Sequence, residues 1–126
     1  QIENNQIVEN ISNNLNVINK FNTYVGSIET DSVDSLRNIA VTAINNEVAD
    51  YVYLIAKIDN KYVIVSMKNE KIVKDFNVSN LVIETSRNYG GGASKDETLS
   101  IGGGPKDYSI DKTLMFVNEN LNKILK

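Results

Sequence analysis

Neither histidine nor cysteine occurs in this chain, and proline occurs once, at Pro105. Each gap excludes something. Without cysteine there is no disulfide framework and no thiolate metal site. That composition fits a reducing cytoplasm, which is the expected location. Without histidine the usual general base and the commonest metal ligand are missing. Basic residues are also in deficit: 13 Lys and Arg against 16 Asp and Glu leave a formal net charge of −3. A general nucleic-acid binder is normally basic, so any contact with nucleic acid has to be local. No stretch approaches the ~18 apolar residues of a membrane span. The opening Gln1-Ile2-Glu3-Asn4 lacks a methionine, a basic region and an apolar region, and reads as a cut point inside a longer protein. Lys123-Ile124-Leu125-Lys126 closes a helical pattern and reads as a natural terminus.

What is present suits one domain: 126 residues, 41% of them hydrophobic, enough for a modest core. Ile7, Ile11, Leu15 and Ile18 draw one apolar stripe, which predicts a helix over 2–20 with a largely asparagine remainder. Segment 1–21 is expected to be an amphipathic helix, the end of a helical dimerisation segment, with 22–126 as the globular body. The stripe can pack on its own domain or pair with a second chain. Thr23–Thr30 predicts a strand. Asp31 or Ser32 then caps a helix whose one side carries Leu36, Ala40, Ala43, Ile44 and Glu47. Tyr51–Ile58 and Tyr62–Met67 are near-continuous apolar runs that suit strands covered on both faces, joined by a hairpin at Asp59-Asn60-Lys61. Asn77 caps a third helix with Val78, Leu81, Val82, Thr85 and Tyr89 inward. Thr98–Ile101 alternates like a short strand. Ser109 caps a last helix striped by Ile110, Leu114, Val117, Leu121 and Ile124. The order α-β-α-β-β-α-β-α predicts an α+β fold, a small mixed sheet of four to five strands with helices packed on it.

Glycine is concentrated. Six of the seven glycines form two triplets, Gly90-Gly91-Gly92 and Gly102-Gly103-Gly104, nine residues apart. Each glycine costs roughly 0.5–1 kcal/mol of extra chain entropy. Two triplets this close suggest a surface where bare backbone approaches something. Gly90 stands where a helix C-terminus wants positive φ, and the second triplet is read as following the short strand. Backbone N–H groups there can form nests for phosphate, with Lys95 and Lys106 supplying charge and Asp96 and Glu97 opposing it. The plainer alternative is that these glycines only make tight turns. Neither the P-loop nor the dinucleotide spacing is present.

The run from Gly90 to Gly104, a glycine triplet, a polar spacer, a small strand and a second triplet, resembles the glycine signature of the DHHA1 domain. That domain occurs at the C-terminus of alanyl-tRNA synthetases and in DHH phosphoesterases. Val33-Asp34-Ser35-Leu36-Arg37 is similar to the synthetases' V-D-x-L-R helix start, and the hairpin and third helix follow in the expected order. The resemblance covers about residues 22–126. It departs between the triplets, where the synthetases often have Arg-Pro-Asp-Met-Ala-Gln-Ala. Ser94–Ile101 is one residue longer, with Ser100 at the glutamine position, so contacts of that arginine or glutamine do not transfer.

The resemblance implies a non-catalytic module of an alanine–tRNA ligase. It would bind the outer corner of tRNA, tRNA(Ala) first, and form a homodimer. Gly90, Gly91, Gly92, Lys95, Gly102, Gly103, Gly104 and Lys106 would meet RNA, and Ile7, Ile11, Leu15 and Ile18 would meet a second copy. No cofactor is expected in this segment; a parent synthetase would use ATP, Mg²⁺ and optionally Zn²⁺. On that basis valine at Gly91 or Gly103 is expected to weaken RNA binding without changing the melt. The alternatives are the substrate-binding domain of a DHH phosphoesterase and a purely structural oligomerisation module.

Other residues admit two uses. Asp96, Glu97, Asp107 and Asp111 can hold Mg²⁺ or serve as solvated loop charges and caps, the plainer reading. The basic residues are Lys57, Lys61, Lys68, Lys71, Lys74, Arg87, Lys95 and Lys106; those of the hairpin and the glycine region can converge on one edge, or all can simply be scattered surface. Among the tyrosines, Tyr24, Tyr51, Tyr53 and Tyr62 read as core or rim. Tyr89 and Tyr108 flank the glycine region and are the two candidates for stacking.

Overall fold

Along residues 2–125, which the computed structural model describes, helix α1 (Ile2–Ser12) leads into strands β1 (Asn16–Ile18) and β2 (Phe21–Ser27). Helix α2 (Val33–Asn45) crosses to the hairpin β3 (Tyr51–Ile58) and β4 (Lys61–Lys68). Helix α3 (Val78–Asn88), strand β5 (Leu99–Gly104) and helix α4 (Ile110–Ile124) complete the chain. Gln1 and Lys126, the outer limits of the two expected segments, lie outside the described residues. The strands form one mixed sheet in the order β1-β2-β3-β4-β5. Only β2 and β3 run parallel, joined through α2; the other pairs are antiparallel.

The apolar runs sit at the centre because both of their faces are covered. On one face Tyr51, Tyr53, Ile55, Tyr62 and Ile64 pack with Val78, Leu81, Val82 and Tyr89 of the α3 segment and Val117 and Leu121 of α4. On the other, Val52, Leu54, Ala56, Ile58 and Val65 pack with Val8 and Ile11 of α1 and Leu36, Ile39, Ala40 and Ala43 of α2. Alternate side chains of β3 thus enter opposite cores, each large one contributing about 1.5–3 kcal/mol of burial. The hairpin turns through Asp59 and Asn60, both at positive φ, the two-residue turn that matches strand twist. Ser32, Asn77 and Ser109 cap their helices by accepting the N–H of Ser35, Ser79 and Lys112.

Several expectations need correction. The first helix stops at Ser12 rather than running to 20. Ser12 and Asn14 turn their side chains back onto the carbonyls of Glu9 and Asn10, the competition that makes such residues poor helix continuers. Asn19 and Lys20 then take positive φ and fold Val17 and Ile18 back as an edge hairpin. The stripe is therefore divided. Ile11 is fully buried against α2, with Ile7 and Leu15 partly buried beside it, whereas Ile18 enters the opposite core. It does not form one free face for a second chain. The strand expected over Thr23–Thr30 is Phe21–Ser27, starting two residues earlier and ending three earlier. On α4, Ile124 is 41% exposed and Leu125 takes the buried place. Glu47 lies past the end of α2 at positive φ and is exposed.

Candidate nucleic-acid interface

The second glycine triplet lies inside β5, not after it: Gly102, Gly103 and Gly104 pair with Ile64, Val63 and Tyr62 of β4. The first triplet leaves the end of α3, where Gly90 adopts φ +76°, and runs back along the outer side of β5. Ala93 bridges to Gly102. Ser94 donates its N–H to Ile101 O at 3.0 Å, and its Oγ accepts the Ile101 N–H at 3.0 Å. From α3, the Ser86 Oγ accepts the buried Gly103 N–H at 2.9 Å. An edge strand's outward groups must be satisfied or shielded, and here two serines do it.

The triplets therefore approach each other. A Cβ on Gly91 would lie 1.8 Å from the Gly103 carbonyl oxygen, and one on Gly104 would lie 2.3 Å from the Tyr89 carbonyl oxygen. A Cβ on Gly102 would lie 2.5 Å from Ser86 Oγ. The close backbone approach inferred from composition is real, and it is intramolecular. Gly92 differs: it is exposed, and a Cβ there would meet nothing within 4 Å. Gly90 is exposed as well, beside Lys106, whose N–H donates to Tyr89 O at 2.8 Å.

The lysines do not all converge. β5 ends opposite Tyr62 and begins opposite Met67, so Lys106 belongs to the hairpin end of the sheet, with Lys57 and Lys61. The loop carrying Lys95 runs to the other end, where Glu97 O accepts the Val78 N–H. Lys68 is buried, donating to Phe76 O at 2.6 Å and Lys74 O at 3.4 Å. Asp96 accepts the N–H groups of Thr98 and Leu99, which hold its carboxyl below the usual carboxylate range. It is a turn-forming residue in this loop. Among the described residues no group of three or more acidic side chains converges as a metal site would require.

Sequence reasoning missed a column of rings at the hairpin end. Tyr62 stacks on Tyr89 at 4.6 Å, and Tyr108 stands nearly perpendicular to Tyr89 at 5.6 Å. The Lys57 ammonium lies 5.5 Å from the Tyr62 ring centre. Tyr62 donates its hydroxyl proton to Asp107, and that bond first, then desolvation, raises its pKa above the ordinary phenol value. Tyr89 shares a 2.6 Å hydrogen bond with Thr113. Burial raises its pKa against the opposing effect of that bond. Of the two flanking tyrosines, Tyr89 is fully buried and Tyr108 is 37% exposed. The missed signal was registry: Tyr62 lies at the start of β4, directly across from the end of β5. Gly90, Gly92, Lys106 and Tyr108 are exposed at this end, with Pro105 and Asp107 exposed between them, and Lys95 is exposed at the other end.

No family model and no curated protein sequence matches the chain. Its fold is similar to that of the C-Ala domain of Aquifex aeolicus alanyl-tRNA synthetase, with a TM-score of 0.74 at 20% identity, over 86% of this chain and 98% of that one. It is also similar to part of a pGpG-specific phosphodiesterase from Vibrio cholerae, with a TM-score of 0.53 at 12% identity. That match covers 97% of this chain but 38% of the phosphodiesterase. At these identities the likeness is one of fold: the architecture resembles that of the C-Ala domain.

Proposed function

We propose that this domain is an RNA-contacting module of an alanyl-tRNA synthetase, docking on the outer corner of tRNA through the strip formed by Gly90, Gly92, Lys106 and Tyr108. The observation that carries the reading is the open backbone at Gly92, where nothing among the described residues occupies the space a side chain would fill. Bare backbone there can lie against a ribose or a base pair, with Lys106, beside Gly90, for phosphate. Shape-based contact of this kind is common in RNA recognition. The fold shared with a synthetase C-Ala domain is consistent with it. With a net charge of −3, binding is modest in affinity and falls with salt.

The test is fluorescence anisotropy with tRNA transcripts whose outer corner is intact or disrupted. The intact transcript binds more tightly, and Gly92→Val or Lys106→Ala weakens binding while the thermal melt stays near wild type. Equal affinity for both transcripts defeats the outer-corner reading. The second reading, a nucleotide-binding domain of a phosphodiesterase, has the fold likeness over 97% of this chain in its favour. Saturable binding of pGpG without tRNA binding would select it.

A further inference from the structure

We propose that Tyr108 is the stacking platform of this interface, holding one unpaired RNA base against its ring. The inference rests on the RNA-contact reading above and names the residue and the type of contact. Its basis is the column that Tyr108 terminates. Lys57 lies 5.5 Å from the Tyr62 ring centre, Tyr62 stacks on Tyr89 at 4.6 Å and 29°, and Tyr108 closes on Tyr89 at 5.6 Å and 88°. The two inner rings are at most 7% exposed, whereas Tyr108 is 37% exposed. Both inner hydroxyls are engaged, Tyr62 on Asp107 and Tyr89 on Thr113, so the column cannot readily swing.

Tyr108 is further held from both sides in sequence. Asp107 before it takes the Tyr62 hydroxyl, and Ser109 after it caps α4. An exposed ring on a fixed support loses little conformational entropy when a base stacks on it. Aromatic side chains hold bases without regard to identity, because every base has a π face. Lys106, two residues earlier, stands by for the adjoining phosphate, and Gly92 leaves the approach open.

A purely structural Tyr108 would only cover Tyr89, which leucine can also do. The experiment therefore compares Tyr108→Phe and Tyr108→Leu in the intact domain. Affinity for an intact tRNA transcript is read by anisotropy, and stability by thermal melt. A 5-bromouridine-substituted transcript is photo-crosslinked in parallel and the adduct mapped by tryptic digestion. Phenylalanine binds as wild type, and leucine loses about tenfold in affinity with its melt unchanged. The crosslink falls in the peptide 107–112, whose sole aromatic residue is Tyr108. If leucine binds as wild type and the crosslink maps elsewhere, stacking on Tyr108 is overturned while RNA contact stands. If the wild-type domain binds no transcript, the RNA reading itself fails and the stacking role goes with it.

Discussion

Alanine placed at Gly103 and at Gly92, one at a time, distinguishes a glycine the fold requires from one that faces solvent. Gly103 sits at φ +123°, and a Cβ there would lie 1.9 Å from the Tyr62 carbonyl oxygen and 3.0 Å from Val63 Cα. Both neighbours are backbone of β4, so neither can swing aside. The φ value alone costs a non-glycine residue about 1–3 kcal/mol. Restoring an ordinary contact of ~3.5 Å requires β4 and β5 to part locally by about 1.5 Å. That weakens the ladder and the Ser86–Gly103 bond, each hydrogen bond being worth about 1 kcal/mol. The sum is about 3–5 kcal/mol. In a domain of this size it lowers the melting temperature by about 10–20 °C. Gly92→Ala meets nothing and changes stability by less than about 1 kcal/mol, with a gain possible from the stiffer unfolded chain. Thermal and urea unfolding followed by circular dichroism measure both. A Gly103→Ala melt within about 3 °C of wild type would refute the packing argument. So would an equal loss at Gly92. This geometry also reverses the expectation that valine at Gly91 or Gly103 leaves the melt untouched. Gly92 is the position at which binding can be tested separately from folding.

Further predictions concern the supports of that region and the rest of the core. Ser86→Ala leaves the buried Gly103 N–H without its acceptor and costs about 1–3 kcal/mol, read from urea midpoints; unchanged midpoints would show that another acceptor takes over. Burial raises the pKa of Tyr51 and Tyr53 far above their ordinary value of 10.0. Their folded state therefore holds a proton that the unfolded state gives up. That contribution is complete below pH 10.0 and is lost as pH rises through the folded values, so tyrosinate absorbance from these two residues should appear only with alkaline unfolding. Their ionisation with the fold intact would contradict it. Lys68→Met removes the ammonium that ties Phe76 O and Lys74 O to the end of β4. Trypsin should then cut faster after Lys71 and Lys74; an unchanged rate would mean the 69–77 loop is held by its apolar contacts alone.

Local chemistry was legible in the sequence wherever neighbouring residues decide the structure. The caps at Ser32, Asn77 and Ser109, the positive φ at Gly90 and the span Tyr51–Ile58 all follow from a few residues' own propensities. The inward face of α3 could be read from spacing, because helical period and burial coincide there. The same logic failed for Leu15 and Ile18. Their spacing fits a helix, but the asparagines at 13, 14 and 19 break it, and pairing with β2 carries Ile18 to the other core.

The site divides in the same way. From sequence alone came the expectation that two glycine triplets mean close backbone approach, and the exclusion of histidine and thiolate chemistry, because neither residue is present. Those conclusions depend on composition and spacing, which no fold can alter. What the glycines approach is a question of registry between elements far apart in the chain, and only the tertiary structure answers it. β5 pairs with β4 through its glycines, and α3 delivers Ser86 and Gly91 onto them. Lys95 and Lys106 are carried to opposite ends of one strand, and Tyr62, Tyr89 and Tyr108 are assembled from three separate segments. Side chains that share a site through long-range strand pairing leave no periodic trace in the sequence, so their meeting had to be seen.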